Sequence, residues 1–483
     1  MNSNKKNNAM MKNIFATAAV AAGLLAAAGQ AQAAATIIIN NVNAAGIGFN
    51  DSTPATPVGG NTGTTIGQQR LIAFTYAANI WGATLTSSQP IVINAQFSAL
   101  ACDSSSATLG SAGATSAFRN FPNAPRTNTL YSYALANKLA GAYLGTANAA
   151  QINANFNVNL GNPGCLDGTY WYLGLDAQHG NNTDFVATLL HEMAHGLGFQ
   201  TFTNGSTGAF NGGVPSVWDY YLTGTATGLT WANMTAAQRK ASALSVDKLV
   251  WAGPLVTAAA PSVLRQGLPG LTISGTASGS AAGSYAVGEA SFGSPVTSTG
   301  ISGQVMPVVK ADGSLSLACD PISGAAALAV RGNVALVSRG TCAFTIKVKN
   351  MQDAGAIAVL IADNAAGAPA GLGGSDATIT IPSVRIEQAA GSALLAQLGK
   401  RTRTASGVVA LLKISGTQLS GADAQGRVLM YAPSVFASGS SVSHYDTTPF
   451  PNQLMEYAIS GDLTHSVIPP QDLTFRLLQD IGW

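Results

Sequence analysis

The alternation of apolar and polar positions divides the chain into segments of different period. Ala35 to Asn40 (ATIIIN) is a short β-branched run and reads as a strand. From Gly67 to Trp81, the residues Leu71, Phe74, Ala78 and Trp81 recur at helical spacing, which predicts an amphipathic helix. Pro90 to Phe97 switches to period two, with Ile91, Ile93, Ala95 and Phe97 on one side of a half-buried strand. A second helix is expected over Thr129 to Leu144. A third starts at Thr183 or Asp184, either of which can cap it, and turns Phe185, Val186, Leu189, Leu190 and Met193 toward a core. Strand, helix, strand and later helix in this order predict α+β layers.

After Gly205 the pattern weakens. To about Gly303 the chain is rich in Gly, Ser and Thr, with one clear helix near Thr235 to Leu244. The run SGTASGSAAGS reads as linker or long loop with poor order, short strands of a following domain being the alternative. Compact apolar strands return at Val334 to Val337 and Ile357 to Ile361, with a helix over Ile346 to Ala354 between them. Ile379 to Val384 precedes a further helix, Gln388 to Leu398, so this region forms a small α/β module. Val428 to Tyr431, a loop and a last helix over Asp472 to Asp480, ended by Gly482, complete the pattern.

The first residues add an address. Lys5, Lys6 and Lys12 precede an apolar run from Ile14 to Ala28 and then Ala31-Gln32-Ala33, so residues 1–33 read as a cleaved secretion signal and the protein as secreted. No later segment is apolar and long enough to span a bilayer, so no stable membrane anchor is expected. Charged residues make up only 9% of the chain and nearly balance at +2, which excludes a basic footprint for nucleic acid. A monomer is expected. Four cysteines fall into two sequence pairs, Cys102 with Cys165 and Cys319 with Cys342. Nearness favours those two bridges among three connectivities, and the lack of any CxxC spacing argues against a four-cysteine zinc site.

The candidate chemistry sits on the third helix, in DFVATLLHEMAHGLGFQTF. His191 and His195 are four apart and project from one face, so both can reach one ion. Glu192 stands beside the first ligand, placed to take a proton from a metal-bound water. Composition alone predicts about 4 × 10⁻⁴ occurrences of His-Glu-x-x-His in a chain with five histidines. Imidazole ligands and an open position favour Zn²⁺ over Mg²⁺ or Ca²⁺. A structural calcium is left open. A catalytic zinc needs a third protein ligand. In the short form of such sites it follows the second His by six positions, where this chain has Thr201. Of the remaining histidines, His179 is too near the helix start, in a loop read as exposed, and His444 and His465 stay open.

HEMAHGLGF, with Gly198 three after the second His, resembles the metzincin zinc peptidases. In that clan a glycine there ends the helix, and a methionine, the Met-turn, lies under the metal. Ser443-His444-Tyr445-Asp446 followed by Met455 in NQLMEY is similar to the leishmanolysin branch, whose third His lies far downstream. The resemblance implies His444 as third ligand, with His465 as its competitor, and Met455 as the Met-turn. Tyr457 resembles the tyrosine that some metzincins place near the metal to steady an oxyanion, a buried core tyrosine being the simpler reading. A third stretch, Ala318-Cys319-Asp320-Pro321 with NVALVSRGTCAF, VKNMQDAGAIAVLIADN and IPSVRI, resembles the protease-associated (PA) domain inserted in secreted peptidases. Its two cysteines often bridge, in agreement with Cys319 and Cys342. Arg339 and Lys347 within it read as surface charges or structural ties. The chain departs from leishmanolysin in having few cysteines and no free cysteine ahead of the catalytic unit.

The implied architecture is a metzincin-like α+β catalytic domain, a twisted sheet plus active-site helix, interrupted by an α/β PA domain. Its expected divisions are 34–205 and 416–483 for the two catalytic parts, 206–283 for a linker and 284–415 for the PA domain. The expected function is zinc-dependent endopeptidase activity on protein or peptide substrates. A secreted binding or adhesion protein with a vestigial site is the rival from another class, though a relic would lose Glu192 early. A zinc aminopeptidase is the third reading, against which Gly198 and Met455 argue.

Overall fold

The computed structural model describes residues 34–483, and the leader expected over 1–33 lies outside them. Ile37–Asn41 forms strand β1, Ile66–Thr84 helix α1, Ile91–Ser98 strand β2, Gly110–Ala114 strand β3, Ile152–Asn157 strand β4 and Phe185–Leu197 helix α2. The sheet order is β1-β2-β4-β3. Strands β1, β2 and β4 are parallel, and β3 runs antiparallel to β4 as an edge. The period-two pattern of β2 sends Ile93, Ala95 and Phe97 into the core, where Ile152, Ala154 and Phe156 of β4 join them. Helices α1 and α2 pack together there, and Trp81 Nε1 donates to the Leu190 carbonyl at 3.1 Å. The opposite face carries Asn40, Asn94 and Asn153 in register across three strands.

Two expectations change. The helix expected over 129–144 is confined to Tyr133–Ala140, because residues 131–132 pair as a strand with 117–118 and Gly141 leaves the helix at φ 67°. The stretch 206–283, expected as linker, is folded. Trp218, Trp231 and Trp251 are fully buried in the same core as α2. Pro254–Val263 forms helix α3. The Asp480 carboxylate accepts from Trp251 Nε1 at 3.0 Å and from Leu255 N, in the first turn of α3, at 2.9 Å. Single aromatics seated in one-turn 3-10 helices and a three-residue strand carry no period, so low complexity concealed a part of the core.

The second unit begins inside the same stretch. Gln266–Ser274 is strand β5, Gly283–Ala286 β6, Gly288–Glu289 β7, Ile301–Pro307 β8 and Val334–Ser338 β9. Helix α4 (Phe344–Asp353), strand β10 (Ala358–Ala362), strand β11 (Ser383–Ile386), helix α5 (Gln388–Leu398) and strand β12 (Val409–Leu419) follow. Their order is β6-β5-β12-β8-β9-β10-β11-β7, with β8 to β11 mutually parallel. Strands β9 and β10 and helices α4 and α5 fall where the apolar pattern predicts them. SGTASGSAAGS takes in the last residue of β5 and the first two of β6, but most of it is the loop between them, with a short 3-10 turn over Gly279–Ala281. The loop reading therefore holds for its middle and the strand alternative for its ends.

Because β5 pairs antiparallel with β12, the chain leaves the first unit and rejoins it at neighbouring points. The return segment, with Val428 to Tyr431 at its start, makes single bridges. One of them joins Met430 to Tyr445, next to His444. Thr474–Ile481 is helix α6, closed by Gly482 at φ 122°. Disulfides join Cys102 to Cys165 and Cys319 to Cys342, the pairing that nearness favours. Among the described residues no helix is long and apolar enough to cross a membrane.

Candidate metal centre

Helix α2 starts on Asp184, whose Oδ1 accepts from Val186 N at 2.9 Å and Ala187 N at 3.1 Å. The other oxygen of Asp184 meets His465 Nε2 at 2.8 Å. His465, the competing ligand, therefore props the helix N-terminus and is not brought to the other imidazoles. His179 is held between the carbonyls of Asn182 and Gly461. It is half-buried rather than the exposed loop residue expected.

His191 and His195 lie one turn apart on the same face of α2, and the helix ends at Gly198 with φ +130°. A side chain at Gly198 would also crowd Ser132 Oγ at 2.8 Å and Ile481 Cδ1 at 3.0 Å. Thr201, the position of the absent short-range ligand, is a strut. Its hydroxyl donates to Asp219 at 2.8 Å, and its amide donates to the Ser443 hydroxyl at 3.3 Å. That last contact ties the turn after α2 to the residue preceding His444.

The structure brings together His191, His195 and His444, all buried. Their Nε2 atoms are 3.2 Å apart for His191–His195, 3.1 Å for His195–His444 and 3.3 Å for His191–His444. Each Nδ1 meets a backbone carbonyl: Leu454 at 2.7 Å from His191, Phe199 at 2.8 Å from His195 and Ser440 at 2.8 Å from His444. A carbonyl only accepts, so each Nδ1 carries the ring proton and each Nε2 presents a lone pair. The short Nε2 separations are thus not hydrogen bonds. Three lone pairs converge with no donor between them.

Burial pushes His191 down to about 3 and His195 to about 4, and it drives His444 well below the usual imidazole range, with the neighbouring rings adding to the effect on His191 and His444. Neutral, mutually facing acceptors fit a cation. A tetrahedral ion with nitrogen ligands at about 2.0–2.1 Å has ligand–ligand edges of about 3.3 Å, close to the spacing here.

Glu192 is buried beside this cluster. Burial pushes its carboxyl up to about 8, and the Ala112 N–H of β3 works in the opposite direction. A Cβ on Gly110 would come within 2.9 Å of Glu192 Oε1, so β3 passes this close only as bare backbone. Met455 is fully buried, its carbonyl accepting from Tyr445 N at 2.8 Å. The preceding Leu454 orients His191 and donates its own N–H to Asp472 at 2.7 Å. Tyr457 is 45% exposed and stacks on Tyr431 with ring centroids 4.3 Å apart, so the core reading of that residue does not hold. The carbonyls of Leu454, Phe199 and Ser440, and the partner of Asp184, left no mark in the sequence. Every residue has a carbonyl, and only the fold selects these.

The chain contains a PA domain, matched over residues 303–394. Within it Lys347 is fully buried, with Nζ donating to the Leu317 carbonyl at 2.5 Å and the Gly340 carbonyl at 2.7 Å. Arg339 pairs with Asp363 at 2.9 Å. The chain is 37% identical over 107 residues to receptor homology region, transmembrane domain- and RING domain-containing protein 1 of Oryza sativa subsp. japonica. That match covers 22% of this chain and 19% of the other, so the chain spans about a fifth of the length of this curated relative. Among solved structures, BSAP, a zinc aminopeptidase from Bacillus subtilis, is 20% identical with a TM-score of 0.22, over 33% of this chain and 36% of that one. An aminopeptidase from Aneurinibacillus sp. strain AM-1 is 19% identical with a TM-score of 0.22, over 42% of each chain.

Proposed function

We propose that the chain is a secreted zinc-dependent endopeptidase of the metzincin type, similar to the leishmanolysin branch, with a PA domain inserted between the two parts of its catalytic unit. One observation carries the reading: three neutral imidazoles whose Nδ1 atoms are fixed by carbonyls point their Nε2 lone pairs at one spot, with Glu192 alongside. His191, His195 and His444 would hold the ion. Bound zinc supplies a Lewis acid and a water acidified toward about pKa 7.

Glu192, as a carboxylate, would take the proton of the attacking water and return it to the leaving amine, and burial, which pushes its carboxyl up to about 8, makes that carboxylate a stronger base. Strand β3 pairs with β4 on one side only. Its free edge can receive an extended peptide by strand addition, beside Glu192, with chain continuing in both directions. That supports cleavage within a polypeptide over removal of a terminal residue. Met455 supports the floor beneath His191 through its neighbour Leu454. The test is hydrolysis of an unfolded protein by purified full chain, with zinc content measured in parallel. Full activity in a zinc-free sample rejects the reading.

A further inference from the structure

A cavity of about 390 Å³ lies between the metal-bearing unit and the unit containing the PA domain. One wall comes from Thr447–Phe450 and Glu456–Ser460, in the segments that follow His444 and Met455. The other comes from β7 and from residues around Leu372. Nothing in the proposed chemistry uses this space.

Four carboxylates line it, Asp247, Glu289, Asp423 and Glu456, against one cation, Arg265. Two are satisfied: Glu289 pairs with Arg265 at 2.6 Å, and Asp423 pairs with Arg427 at 2.6 Å. Asp247 has no ion-pair partner among the described residues and stands exposed at the mouth. Glu456 is 98% buried by its 2% exposure, and its Oε1 accepts from Gln453 N at 2.7 Å. Its second oxygen has no hydrogen-bond partner among the described residues although the side chain lines the cavity. A buried carboxyl without a counter-charge is costly, and burial accordingly pushes this one well above its usual range.

The side walls are apolar, formed by Leu268, Val287, Leu372 and Leu429. Arg265 shows that this lining holds a cation, since its guanidinium lies 4.1 Å over the Phe450 ring while paired with Glu289. Apolar walls leading to unpaired carboxylates match a side chain with an alkyl stem and a cationic head.

We propose that this cavity is a binding site for a lysine or arginine side chain of a polypeptide, with the stem against Leu372 and Leu429, the head at Glu456, and Asp247 adding negative charge at the entrance. The site is separate from the three-histidine centre. On the peptidase reading it selects basic substrates, but binding itself does not depend on that reading.

The test is calorimetric titration of the full chain carrying Glu192→Ala with capped peptides that differ at one position: lysine, arginine or uncharged norleucine. Lysine and arginine peptides are expected to bind about tenfold or more tighter than the norleucine peptide, with the gap shrinking in high salt. Glu456→Gln should remove most of that gap and Asp247→Asn should narrow it, and Ala458→Trp, which adds bulk to a lining residue, should weaken all three peptides. Asp247 is exposed, so its variant answers the question even where Glu456→Gln fails to fold. Equal affinity for lysine and norleucine peptides overturns the proposal, as does an unchanged gap in folded Asp247→Asn. Because no turnover is measured, an inactive metal centre leaves this result readable.

Discussion

His191 Nδ1 donates to the carbonyl of Leu454 at 2.7 Å, across 263 positions of sequence. The contact fixes the tautomer of a helix histidine from the segment that carries Met455, so the two halves of the first unit set one another's chemistry.

His444→Ala should purify with little zinc, against about one zinc per wild-type chain. His465→Ala should keep the zinc and lose about 1 kcal/mol of stability, because Asp184 forfeits its partner at the start of α2. Zinc analysis beside urea unfolding of both variants checks this. Zinc lost only in His465→Ala would reverse the assignment.

Glu192→Ala should retain zinc and the fold while hydrolysis falls by about 10² to 10⁴. Steady-state rates on one protein substrate, with metal content determined on the same sample, provide the check. Wild-type rates in the variant would remove Glu192 from the mechanism.

Gly198→Ala should cost about 1–3 kcal/mol, since φ +130° is unfavourable for any side chain and Ser132 Oγ would lie 2.8 Å from the new Cβ. Zinc affinity should fall with it, because Phe199, whose carbonyl holds His195, follows directly. Equal unfolding midpoints for the variant and wild type would contradict the packing described.

Lys347 gives a dependence on pH. Burial lowers its ammonium from about 10.5 in the unfolded chain to about 8. Between those values the unfolded state binds more protons, so stability rises with pH. The penalty is full below about 8 and fades toward about 10.5. Wild type should therefore gain on Lys347→Met between pH 8 and pH 10 in paired urea titrations. A flat difference would show an amine that keeps its proton.

Much of the fold and site was legible in particular residues. β2 and α5 followed from their periods, and His191, Glu192 and His195 from a spacing that only a helix makes meaningful. The third imidazole was not accessible to spacing at all, since 249 residues separate His195 from His444. A family likeness supplied it, and the fold brings it to the other two. The region 206–283 was misread because Trp218, Trp231 and Trp251 earn their burial through shape rather than repetition. Lys347 reads in the sequence as a surface charge or a structural tie; the structure makes it a buried tie, and no pattern reveals that Leu317 and Gly340 are its partners.

The pairing of β5 with β12 has a consequence for how the centre assembles. Closing a flexible loop of 249 residues costs about 3 kcal/mol more than closing a loop of six. The folded insertion removes most of that difference, for Arg265 N donates to the Phe450 carbonyl at 2.8 Å and Ser420 N to the Arg265 carbonyl at 2.9 Å. The inserted unit thus acts as a clasp. A nascent chain carries only two of the three imidazoles until synthesis has passed the clasp, so the three-histidine cluster forms last, in the order in which the parts emerge.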